Sequence, residues 1–154
     1  MTSALHALTD ADRELIDAAR ATIDAGTDAA TAEAPGVHTM GAAVRDASGR
    51  IHVGVNLAHF TGGPCAELVA LGAARANGAR RIESIVAVGN HGRGVVGPCG
   101  RDRQILFDHH PGIRVLLPTA DGVRAAPIEA LLPLAAVWTV DGGTQPYDPA
   151  RVTS

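Results

Sequence analysis

Pro64-Cys65-Ala66-Glu67-Leu68-Val69-Ala70 begins a run of small and apolar residues that reaches about Asn77 and stops at Gly78. Proline ahead of such a run and glycine behind it punctuate a helix. Upstream, Val37 to Val44 and Ile51 to Leu57 flank the turn-forming cluster Asp46-Ala47-Ser48-Gly49, which predicts a hairpin. Downstream, Ile85 to Gly89 is a continuous apolar strand of the kind covered on both faces. A second pair, in Pro98-Cys99-Gly100-Arg101-Asp102, then opens a helix to about His109, stopped by Pro111-Gly112. Further out, Ile113 to Leu117 and Gly122 to Ala126 read as strands and Pro127 to Leu132 as a short helix. On the N-terminal side, Thr9 with Asp12 three positions on starts a helix to about Ala25, and Leu15, Ile16, Ala19 and Ile23 recur at helical spacing.

The order α-β-β-α-β-α-β-β-α predicts a mixed five-stranded sheet covered by helices, in one α/β domain over residues 1–141. Residues 142–154, with two prolines and little apolar content, are expected as a tail or partner-binding arm. The 154 residues, 46% hydrophobic and 19% charged, suffice for a core without disulfides and exclude disorder. A net charge of −3 and 3% aromatic content argue against nucleic acid as a partner. Neither a bilayer-length apolar run nor a leader pattern is present, so no membrane partner and a cytoplasmic location are expected. Cys65 and Cys99 are then expected as reduced thiols.

Both cysteines fall at helix N-termini, where unpaired N–H groups and the macrodipole favour a thiolate. Two thiolates on neighbouring helices can converge on one soft divalent metal, most simply zinc; two buried structural thiols are the plainer alternative. Asp102, one helical turn beyond Cys99, points toward the same place. Glu67 is too near Cys65 in sequence to share its metal face, but is placed to relay protons beside it.

These residues sit in longer stretches: His59-Phe60-Thr61-Gly62-Gly63-Pro64-Cys65-Ala66-Glu67-Leu68-Val69, Gly89-Asn90, Arg93-Gly94, Pro98-Cys99-Gly100-Arg101, Arg103-Gln104 and His110-Pro111-Gly112-Ile113. Together they resemble the zinc-dependent cytidine deaminase family, in particular its blasticidin-S branch, from about residue 10 to Trp138. The resemblance implies a three-layer α/β/α fold and Zn2+ as cofactor. It also implies a homotetramer, and hydrolysis of the 4-amino group of a cytosine-type nucleoside to a carbonyl with release of ammonia. Residue by residue, it implies Cys65 and Cys99 as ligands with Asp102 in the third ligand position. Glu67 would be the general acid/base. Asn56 would face the substrate, the backbone of Ala66 would meet the pyrimidine edge, Arg93 would face an acidic group, and Trp138 would close the pocket.

Asp102 stands where the family has a third cysteine. Ala58 stands where cytidine deaminases have Glu and the blasticidin-S branch has Tyr, and Ala136 where a tyrosine is expected. Asp102 is thus either a ligand or a helix-face carboxylate pairing with Arg101 or Arg103. Arg93 is alternatively a solvated loop residue, Asn56 a strand-end turn residue, and Trp138 a subunit contact. The altered walls leave open a different aminated heterocycle or nucleoside (cytidine, aminopurine or triazine type), or a non-catalytic paralogue with a metal site impaired by Asp102. Gly92-Arg93-Gly94-Val95-Val96-Gly97 fits a dinucleotide fingerprint in spacing, but the helix opens later, at Pro98, and two strands and a helix come before it. His109-His110 is expected to cap a helix C-terminus.

Overall fold

The computed structural model describes residues 4–152. Helix α1 (Asp10–Gly26) starts with a reciprocal cap: the Thr9 hydroxyl accepts from the Asp12 N–H and the Asp12 carboxylate accepts from the Thr9 N–H. Strands β1 (Met40–Asp46) and β2 (Ile51–Val55) form the expected hairpin, and β3 (Ile82–Gly89) pairs antiparallel with the other edge of β1. Strand β5 (Arg114–Thr119) lies parallel to β3, and β6 (Gly122–Pro127) closes the order β2-β1-β3-β5-β6. The strands are thus the expected five plus a short sixth, β4 (Gly94–Val96), which folds back antiparallel on the end of β3. It forms from the glycine-rich stretch, whose turn needs the left-handed backbone of His91, Gly92 and Gly94.

Alternation along the strands divides the core into two faces. Ala43, Val86, Val88 and Leu116 pack with Leu15, Ile16 and Ala19 of α1. Ala42, Val44, Ile85, Ala87 and Val115 face helices α2 (Ala66–Ala76) and α3 (Gly100–His109), through Ala66, Ala70, Ala74, Leu106 and Phe107. The result is the three-layer α/β/α arrangement. Two glycines let the layers close up. A Cβ on Gly41 would stand 2.6 Å from the Ala19 carbonyl oxygen, and one on Gly54 would stand 2.6 Å from the Ala70 nitrogen of α2.

The hairpin turn is organised by buried Asp46, which accepts from the Ser48 and Arg50 N–H groups and lies 2.8 Å from His52 Nε2. The His52 contact first, then Ser48, holds its carboxyl well below the usual carboxylate range. A second buried carboxylate, Asp12, pairs with Arg114 at 2.7 Å and so ties α1 to β5. Burial opposes its charge, but the hydrogen bonds from Arg114 and Thr9 prevail and its pKa is lowered.

After the short helix α4 (Ile128–Leu131), strands β7 (Val137–Thr139) and β8 (Gly143–Gln145) pair in a separate hairpin that crosses the expected boundary at residue 141. A 3-10 turn, Pro149–Val152, follows. Residues 153 and 154 of the expected tail lie outside the described residues.

Candidate functional site

Helices α2 and α3 start two residues later than a proline at the first helical position would require: Cys65 and Cys99 are the N-caps, in extended conformation, and neither side chain caps its own helix. Pro64 and Pro98 stiffen the extended segments just ahead of the N-caps instead of filling the first turn. Both thiols are therefore free to turn toward each other, and their sulfurs are 3.8 Å apart. One carboxylate oxygen of Asp102 joins them, with all three candidate ligand atoms within 4.8 Å of one another.

Asp102 is 1% exposed, and both its carboxylate oxygens are buried with no hydrogen-bond partner among the described residues. A buried, unanswered carboxylate is costly unless a cation meets it. The alternative of pairing with neighbouring arginines does not occur. Arg101 donates to the Gly63 carbonyl at 3.0 Å and to Cys65 Sγ at 3.4 Å, while Arg103 donates to the carbonyls of Pro98 and Leu131.

The thiolate expected at the start of α2 is not what the surroundings favour. Burial pushes the Cys65 thiol up to about 11; the Arg101 hydrogen bond pulls the other way, and Asp102 and Cys99 add to the rise. Without a cation, burial and a neighbouring carboxylate outweigh the helix N-terminus.

Glu67, 7% exposed on the first turn of α2, is pushed up to about 7, first by burial and then by the charge of Asp102 against the opposing pull of a backbone hydrogen bond. A carboxyl balanced near neutrality can both accept and return a proton.

These four side chains line one end of a cavity of about 240 Å³. Asn56, just past β2, also lines it. Its Oδ1 accepts from the N–H groups of Thr39 and Met40, at 2.7 and 2.9 Å, which leaves the amide nitrogen as the donor without a partner among the described residues. The backbone around Ala66 lies on the wall, and Met40, Leu57, Ala58 and Val96 make the rest of it largely apolar.

Two expected substrate contacts stand elsewhere. Arg93 is not among the lining residues; it donates to Asn90 Oδ1, the Thr39 carbonyl and Met40 Sδ, and so braces the loop behind Met40. Trp138 sits on β7 with its ring edge-on to His109 at 5.9 Å. His109 ends α3 while Cys99 begins it, roughly 15 Å away along a ten-residue helix. Within one chain Trp138 therefore does not reach this cavity. His110 is the C-cap residue of α3, its backbone N–H donating to the Leu106 carbonyl, and His109 stands in the last turn, as expected of this pair.

Residues the sequence did not mark complete the wall. Met40 and Leu57 gave no signal beyond membership of the two predicted hairpin strands, and Val96 arrives on a strand too short for periodicity to reveal. Arg101 was singled out as part of the Pro98–Arg101 stretch and as a candidate partner of Asp102, yet it donates to a thiol.

The chain is 34% identical over 106 residues to a blasticidin-S deaminase from Bacillus cereus, a match spanning 63% of this chain and 76% of that protein. Among solved structures it is similar to a cytidine deaminase from Burkholderia pseudomallei, with a TM-score of 0.63 at 30% identity over 83% of this chain and 99% of that one. A cytidine deaminase from Mycobacterium leprae gives a TM-score of 0.63 at 29% identity, covering 79% and 96% respectively. No family model matches the chain.

Proposed function

Because the chain belongs to the cytidine deaminase family, we propose that it is a zinc-dependent aminohydrolase acting on the 4-amino group of a cytosine-type ring. The observation that carries this reading is the pair of Asp102 oxygens, without a hydrogen-bond partner among the described residues, beside two converging thiols. Cys65, Cys99 and Asp102 would hold the ion, three protein ligands being the number usual for a catalytic zinc site. Bound there, zinc supplies the Lewis acidity that makes water a competent nucleophile near neutral pH.

The chain's own groups do the rest. Glu67 accepts the proton that water gives up and hands it to the ring nitrogen beside the reacting carbon. It then passes the second water proton to the amino nitrogen, which leaves as ammonia while the carbonyl forms. Asn56 offers its amide N–H to the part of the substrate away from the reacting carbon, and the Ala66 backbone meets the ring edge. Arg93 serves by holding Met40 and the 90–93 turn in place. Arg101 offsets the charge gathered at Cys65.

The apolar wall around Ala58 favours a second reading of the substrate: another aminated heterocycle, with fewer hydroxyls to satisfy than a nucleoside carries. Assembly as a homotetramer belongs to the proposal, supported by Phe60, 95% exposed on the loop that leads into Cys65, and by half-exposed Leu57. A reducing cytoplasmic setting fits two free cysteines. Among the described residues no helix is long and apolar enough to cross a membrane.

The decisive experiment couples metal analysis to ammonia release. Near one zinc per chain, with ammonia formed from cytidine, blasticidin S or an aminated pyrimidine base, is the expected result. A chain that binds zinc stoichiometrically but releases no ammonia from aminated pyrimidines, purines or triazines would overturn the enzymatic reading.

A further inference from the structure

The ends of α2 and α3 opposite the thiols face a second cavity, of about 430 Å³. Arg75, Arg80, His109 and His110 line it, over an apolar floor of Leu71 and Ile82. A neighbouring hollow shares Ala79 and Arg80 with it and adds Arg50 and Arg81. Four of the thirteen basic residues of a chain with net charge −3 are thus gathered at one pole, remote from the candidate reaction centre.

The carboxylates that normally accompany such a cluster are missing. Among the described residues Asp46 is the one carboxylate lining either hollow, and it is committed to His52, Ser48 and Arg50. Arg75, Arg80 and Arg81 make no ion pair among the described residues. Arg75 and His109 occupy last turns, where a cation answers the helix dipole. The helix dipole gives no account of Arg80 and Arg81, which follow α2 on the connection to β3. Unpaired guanidinium groups held close repel one another, and a polyanion relieves that repulsion.

We propose that this cavity binds a phosphorylated small molecule. The phosphates would lie between Arg75 and Arg80, whose planar forks suit phosphate oxygens, with ring N–H donors of His109 and His110 beside them. Leu71 and Ile82 offer apolar surface to an organic group carried by the phosphates. The volume lies in the range of about 300–1,000 Å³ usual for small-molecule sites. Inorganic diphosphate and a nucleotide share this chemistry.

The test is calorimetric titration of the full chain with inorganic diphosphate and, separately, with ADP, at about 0.15 M salt. Saturable binding of one equivalent is expected, weakened about tenfold by Arg75→Ala and further by Arg75→Ala/Arg80→Ala, since each removes a charge-assisted contact. Arg13→Ala/Arg20→Ala, which removes the same charge from exposed positions on α1, should bind as the parent does. Tighter binding of ADP than of diphosphate assigns the floor to an organic group; equal binding assigns the site to the phosphates alone. No saturable binding of either anion, or equal weakening in the α1 variant, overturns the proposal. Circular dichroism of each variant separates loss of binding from loss of fold.

Discussion

At the level of single side chains the site turns on two carboxyl groups in contrasting circumstances. Glu67 is held near neutrality by burial, so Glu67→Gln should lower the rate of ammonia release by about two to four orders of magnitude while zinc per chain stays unchanged. Ammonia and metal assays on one preparation check both halves of that statement. Asp102 is the opposite case, a buried carboxylate with no cation paired to it and no hydrogen-bond donor within bonding geometry among the described residues. Asp102→Ala should cost most of the bound zinc, yet the metal-free variant should unfold no earlier than the metal-free parent, because an unanswered buried charge is lost with the ligand. Thermal unfolding with and without chelator measures this. Asp102→Cys should keep the metal. The convergence of Cys65, Cys99 and Asp102 was legible in the sequence because two Pro-Cys steps and a one-turn spacing are local facts. The raised Cys65 thiol was not, since burial and the Asp102 charge come from packing.

Among the elements, α2 matters most, because it brings Cys65, Ala66 and Glu67 to the cavity, and Gly54 sets how close it lies to the sheet. A methyl there meets backbone, so Gly54→Ala should destabilise the fold by about 1–3 kcal/mol and lower activity at unchanged zinc-ligand identity. Denaturant unfolding and ammonia assays report the two effects. The β1–β2 turn makes a separate prediction about acid. The lowered pKa of Asp46 means its stabilising charge is fully present above the ordinary carboxylate value of about 4 and is lost as pH falls through the lower folded value. Asp46→Asn should therefore be less stable at neutral pH and show a flatter decline between pH 5 and 2 than the parent. Periodicity and turn residues were enough to read α1, the hairpin and β3, since each pattern is repeated over several residues. They missed β4, β7 and β8, which are three residues each and are defined by their partners alone.

Across the whole molecule the candidate centre is assembled from segments 34 residues apart and exists only when α2, β3, β4 and α3 are all in place. Metal that binds the folded chain and not the unfolded one should raise its unfolding temperature, with a stabilisation of about 4 kcal/mol at a thousandfold excess over Kd. Calorimetry with stepwise zinc addition to chelated protein checks this; an unfolding temperature indifferent to zinc would count against the centre. The chain has a single tryptophan, and Trp138 stands on the C-terminal hairpin, partly exposed and edge-on to His109. Its fluorescence is therefore a one-site optical gauge, and it watches the far end of α3. A positive charge or a ligand at His109 would quench or shift the emission, whereas events at Cys65 and Glu67 would leave it dark to the spectrometer. One cuvette can thus follow one pole of the molecule while ammonia release follows the other.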